Sequence, residues 1–219
     1  PVSNPAEDDA HTYIVKEVLP ADGYTLSAEM YVRMNYEGEL FASLDNQNFE
    51  RVEGNNLVVV NKLNAFSLVM KDRETKDELA APSDDWKLSI TPKSGSKFSD
   101  GSKSSKTINN TQKEFKGILV PGCEYEIKEI DEPTGYIRFK DIATVSVNNN
   151  GVVSVKSDSD RFSVRDNCIE VLNEKNSLSV VKTGVKGHSV NGTGFSLTPV
   201  QGTFADGSSD AVSFTMTES

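Results

Sequence analysis

The chain has 219 residues, enough for one large domain or two of ordinary size, and its 36% hydrophobic and 26% charged content is that of a soluble globular protein. A formal net charge of -10 argues against nucleic acid and anionic membrane as partners, since both would repel it. No stretch approaches the roughly 20 apolar residues that span a bilayer, and two cysteines, Cys123 and Cys168, exclude a disulfide-stapled scaffold and a structural zinc cluster.

No signal peptide or C-terminal anchor signal is legible, so the sequence reads as a mature chain or a fragment. Residues 13–24, YIVKEVLPADGY, open with a predicted strand. Alternate side chains of a strand point to opposite sides, so Tyr13, Val15 and Glu17 share a face. YVRMNY follows, then NNLVVVNK, which contains Asn61. LVMKD around Lys71 is apolar on both faces, and parity does not say which way Lys71 points. WKLSITP from Trp86 and FSDGS from Phe98 come next, and the Ser/Lys-rich stretch 99–112 reads as a mobile loop. YEIKEIDEPTGY (125–136) places Tyr125, Ile127 and Glu129 on one face; ATVSVN, VVSVKS and NCIEVLNE follow, with Ile169, Val171 and Asn173 sharing a face. In the last segment Leu178, Val180 and Lys182 share a face, before FSLTP and FADGS. Short runs parted by Gly, Asn, Asp and Pro clusters about every ten residues predict an all-β sandwich or barrel.

These elements repeat. Tyr13, Glu17, Gly23, Tyr24 and Asn61 recur as Tyr125, Glu129, Gly135, Tyr136 and Asn173, each shifted by 112, so the Glu-to-Asn separation is 44 in both copies. LVMKD around Lys71 resembles SVVKT around Lys182 at a shift of 111, and FSDGS recurs as FADGS at a shift of 106. One complete unit therefore runs over 64–175, in the order Lys strand, Glu strand, Asn strand. Residues 1–63 hold the Glu and Asn strands without a Lys strand, and residues 176–219 hold the Lys strand alone. The flanks are complementary halves cut at the same point of the repeat.

A carboxyl, an amine and a carboxamide on inward faces are each costly to bury alone. Together they can react. Desolvation gives a neutral Lys nucleophile and a protonated Glu. The acid polarises the Asn carbonyl and relays protons to departing ammonia. Proximity alone is worth on the order of 7–11 kcal/mol. The product is an amide cross-link made once, without turnover, so the chain is not read as an enzyme on an external substrate.

The pattern Y-x-[VI]-x-E followed by P-x-(x)-GY, with a leading Lys strand and a closing strand ending in Asn, closely resembles the collagen-adhesin B-type (Cna B-type) domains of Gram-positive surface adhesins and pilins. The resemblance implies tandem Ig-like, Greek-key β-sandwich domains with first and last strands adjacent and parallel. It also implies a Lys71–Asn173 isopeptide bond catalysed by Glu129, and a second, split site of Lys182 and Asn61 with Glu17 as its catalytic acid. Parallel first and last strands put the two halves at opposite poles of the complete unit. Head-to-tail completion between neighbouring copies is then expected, the other reading being a proteolytic or cloning boundary.

Parity places Cys123 with Glu129 and sets Cys168 opposite Asn173; a disulfide and two separate thiols both stay open. His11 and His188 read as solvated loop residues. The clusters Asp45–Asn48 and Asp158–Asp160 read as turns rather than calcium sites, and neither metal nor cofactor is expected. Two functional classes follow. The first is a stalk or pilus shaft at the cell-wall-attached, extracellular surface, whose cross-link resists pulling on the termini. The alternative is an adhesive module with a host extracellular-matrix ligand.

Overall fold

The structure, a computed structural model, describes residues 11–79, 86–184 and 189–216. Three β assemblies follow one another along the chain. The leading one is a four-stranded antiparallel sheet of β1 (Tyr13–Val15), β2 (Met30–Met34), β3 (Leu40–Ser43) and β4 (Glu50–Arg51). The trailing one is a single hairpin, β15 (Gly194–Leu197) with β16 (Val212–Thr215).

Between them lies a sandwich of two sheets. One contains β5 (Ala65–Asp72), β8 (Glu114–Lys116), β10 (Tyr136–Ile137), β13 (Phe162–Arg165) and β14 (Cys168–Lys175). Its order is β10-β14-β5-β8, with β13 also paired to β14. The other runs β12-β11-β9-β6-β7, from β6 (Lys87–Pro92), β7 (Lys106–Asn109), β9 (Glu124–Asp131), β11 (Ile142–Val147) and β12 (Val153–Ser157). The inner faces meet in one core that includes Leu68, Leu88, Ile108, Ile127, Val145 and Ile169, all fully buried. Each such side chain contributes roughly 1.5–3 kcal/mol by leaving water. The architecture is the all-β sandwich that the alternating runs predict.

The first and last strands of the sandwich are neighbours and parallel. β5 and β14 pair from Ser67 with Cys168 to Asp72 with Asn173. The chain thus enters this sandwich at one pole and leaves at the other.

Two segments differ from their sequence reading. The polar stretch 99–112 contains strand β7, which pairs with β6 and inserts Ile108 opposite Leu88. Its lysines turn outward, Lys106 to Asp100 at 2.9 Å. One apolar residue is enough where a strand neighbour supplies the ladder. Conversely, residues 56–61, read as a strand, form none, although the matching β14 spans eight residues. β14 is held by β5 and β13; residues 56–61 have no such neighbours among the described residues. Cys123 and Cys168 are both free thiols. His11 is exposed, and His188 lies outside the described residues, as do Pro1 and Ser219. Among the described residues no helix is long and apolar enough to cross a membrane.

Candidate functional site

β9 turns Tyr125, Ile127 and Glu129 inward, and β14 turns Ile169, Val171 and Asn173 inward from the opposite sheet. The two polar ends meet. Asn173 donates from Nδ2 to Glu129 Oε1 at 2.9 Å, and the Phe139 backbone N–H donates to Glu129 Oε2 at 2.9 Å. Glu129 is 5% exposed and Asn173 0%. Asn173 Oδ1, the carbonyl oxygen of a potential electrophile, is buried without a hydrogen-bond partner. Burial pushes the Glu129 carboxyl above its usual 4.5, against the pull of its two hydrogen bonds. A carboxyl with that bias is suited to hold a proton beside an amide carbonyl.

Lys71 is not brought to this pair. The inward side of β5 is Phe66, Leu68, Met70 and Asp72, so Lys71 falls on the outer face, one residue out of phase. There its Nζ donates to Glu170 Oε1 at 2.7 Å, Glu170 lying on the outward side of β14 between Ile169 and Val171. The inward β5 residues in register with Val171 and Asn173 are Met70 and Asp72. Met70 is 1% exposed. The expectation that Lys71 and Asn173 lie together thus meets a strand phase that separates them.

Asp72 is a polar residue that the sequence reading passed over. Its carboxylate accepts from the backbone N–H groups of Thr75 and Glu74, from Lys175 Nζ at 2.9 Å and from the Tyr136 hydroxyl at 3.0 Å. These bonds, the Thr75 N–H foremost, hold it well below the usual carboxylate range. Counting by twos from Leu68 would have found it inward. The repeated Tyr136 was a second pointer.

The leading sheet carries a matching pair. Asn61 Nδ2 donates to Glu17 Oε1 at 2.7 Å, and the Ser27 N–H donates to Glu17 Oε2 at 2.8 Å. Ser27 and Phe139 are themselves 112 residues apart. The second pair thus reproduces the first atom for atom. Its surroundings differ, because both residues are only half-buried. With little burial to oppose them, the bonds from Ser27 and Asn61 pull the Glu17 carboxyl below its usual value. The leading sheet lies open elsewhere too, with a cavity of about 910 Å³ lined by residues including Met30, Ala42, Leu44, Val52 and Leu57. Lys182 is exposed and donates to Thr193 Oγ1 at 3.4 Å.

Asp45, in the Asp45–Asn48 cluster, accepts from the Gln47 and Asn48 backbone N–H groups as a turn residue does, and Asp160 accepts from Arg73 at 2.8 Å.

Residues 64–161, less than half of the chain, match the family model of the SpaA prealbumin-like fold domain. No curated protein matches the chain. Among solved structures it is similar to the pilus adhesin SpaC of Lactobacillus rhamnosus GG in its open conformation, at 14% identity and a TM-score of 0.41. That overlap covers 78% of this chain and 26% of SpaC, so the chain spans about a quarter of the adhesin's length. A C-terminal fragment of the same adhesin is similar at 13% identity and a TM-score of 0.41, over 78% of this chain and 79% of the fragment. The shaft pilin SpaA of that organism is similar at 16% identity and a TM-score of 0.31, over 77% of this chain and 66% of the pilin.

Proposed function

We propose that the chain is a structural segment of the stalk or shaft of a Gram-positive surface pilus or adhesin, built from Cna B-type units over 1–63, 64–175 and 176–219. The family match over 64–161 supports this reading, and one observation carries it. The Glu129–Asn173 pair and its backbone donor recur bond for bond as Glu17–Asn61 with Ser27. An ordinary buried polar pair has no reason to recur with its third partner. A duplicated reaction centre does.

The two centres have different fates. In the 64–175 unit the inward position of the Lys strand is Met70, and Lys71 is held by Glu170. Among its described residues that unit keeps the acid and the amide without an amine to join them. In the 1–63 unit the open face takes a Lys strand and hairpin of the 176–219 kind, from a neighbouring unit in a head-to-tail array. Lys182 Nζ then attacks Asn61 Cγ while Glu17 relays protons. A C–N bond forms to Lys182, the bond to Asn61 Nδ2 breaks, and ammonia leaves. The reaction runs once, so the chain is no enzyme, and its place is the extracellular, wall-attached surface.

The test is denaturing gel electrophoresis and mass spectrometry of the concentrated chain. A ladder whose cross-linked peptide joins Lys182 to Asn61, lost in Asn61→Ala, is expected. A single band at the 23.9 kDa monomer with every ammonia retained sinks the covalent reading.

A further inference from the structure

The Gly-Tyr of the PADGY and EPTGY loops recurs for a reason that the Glu–Asn chemistry does not supply. At the first copy Asn64 N–H donates to Gly23 O at 2.9 Å, and at the second Asn176 N–H donates to Gly135 O at 2.9 Å. Tyr24 bridges Leu63, and Tyr136 pairs with Lys175. All four partners keep the 112-residue shift.

Both glycines face the turn that follows in the next unit. A Cβ on Gly23 would lie 2.5 Å from Gly117 O and 3.1 Å from Ser99 Cβ. A Cβ on Gly135 would lie 2.9 Å from Ala205 Cβ. Ser99 and Ala205 are the second residues of FSDGS and FADGS. Each Gly-Tyr loop therefore packs on the same turn of the unit after it. At the first copy more bonds cross the joint. Leu26 N–H donates to Asn149 O at 2.8 Å and Asp22 pairs with Lys97, while Asn64, 3% exposed and the first residue of the following unit, is anchored within that unit from Nδ2 to Leu119 O at 2.7 Å.

We propose that the Pro-x-(x)-Gly-Tyr loop is a docking surface whose partner is the F-x-D-G-S turn of the following unit, with the Asn at the start of that unit binding the loop's Gly carbonyl. Each unit thereby fixes the next in one pose. Gly is required at 23 and 135 by close approach as well as by φ of +84°, a left-handed conformation that side chains avoid. The joint stands whether or not any cross-link forms.

Backbone ¹⁵N relaxation of the full chain tests it. Amides of 11–63 and 64–175 are expected to share one rotational correlation time, and Gly23→Ala is expected to abolish the sharing while leaving the core shifts of Ile127 and Val145 in place. Gly38→Ala is the control: φ is +79° there, but nothing lies within 4 Å of the added Cβ, so it carries the backbone strain alone. Should Gly23→Ala unfold the leading sheet, Lys97→Asp replaces it, with sharing lost and then restored by adding Asp22→Lys. Separate correlation times in the unaltered chain overturn the proposal. So does sharing that survives Gly23→Ala or Lys97→Asp, loss of sharing in Gly38→Ala, or failure of Asp22→Lys to restore it.

Discussion

The central sandwich and the leading sheet hold the same four-atom hydrogen-bond pattern in opposite environments. In the sandwich, Glu129 is closed over by two sheets and its carboxyl is biased toward the protonated form. In the leading sheet, Glu17 has the same partners at the same spacing, yet the carboxylate is favoured. Hydrogen bonds to a carboxylate lower its pKa and burial raises it; the sign follows from whichever is larger. The pair alone therefore does not set the protonation bias of its carboxyl. The covering sheet does.

That comparison can be broken most forcefully at Met70. Met70→Lys puts an amine on the inward side of β5, two residues before Asp72, the register partner of Asn173. The expected product is an amide to Asn173 Cγ, read as one ammonia missing from the intact mass, with Glu129→Gln in the same background keeping full mass. By analogy with a cross-link closing a loop of about 100 residues, the gain in stability is about 4–5 kcal/mol. A folded Met70→Lys protein with full mass would falsify the claim that this unit lacks only its amine.

A smaller effect sharpens the contrast between closed and open faces. Ile127 and Val15 occupy the same place in the two copies, but Ile127 is 0% exposed and Val15 39%. Ile127→Ala should cost about 3–4 kcal/mol in denaturant unfolding, the typical loss for a buried Ile. Val15→Ala should change stability by less than about 0.5 kcal/mol. Equal effects would mean that the leading sheet is covered in solution.

The smallest effect is in pH. Glu129 has its folded pKa raised, so its contribution to stability is full below the usual 4.5 and is lost as pH rises through the folded value. Glu17 has its folded pKa lowered, so its contribution is full above the usual value and is lost as pH falls through the folded value. Side-chain carboxyl NMR should find Glu129 titrating above 4.5 and Glu17 below it. The reverse order would dissolve the comparison.

Much of this was legible in the residues. Alternation placed Tyr125, Ile127 and Glu129 together and Ile169, Val171 and Asn173 together, because each strand has one apolar and one polar side. The same rule failed on β5, where Ser67, Val69 and Lys71 face out and are not polar enough to mark that side. The phase of β5 shows in its register with β14, a contact about 100 residues away in sequence; locally only counting by twos from Leu68 marks it. The strand β7 was hidden for a related reason, since Ile108 is its one apolar residue and its pairing with β6 carries the rest. Residues 56–61 show the converse, a strand-like sequence without the neighbours that make a strand.

The parallel pairing of β5 with β14 also sets the order in which the central sandwich can assemble. As the chain emerges N-terminus first, β5 appears early, but the neighbour that completes its ladder is the last strand of the sandwich. Antiparallel neighbours such as β11 and β12 close through a short turn soon after they emerge. Pairing across so long a loop is slow relative to local hairpins. The ladder of β5, with Leu68 and Met70 on its inner face, is therefore completed only after β14 emerges. Glu129 and Asn173 meet only then, so any chemistry at this site comes after β14 has paired.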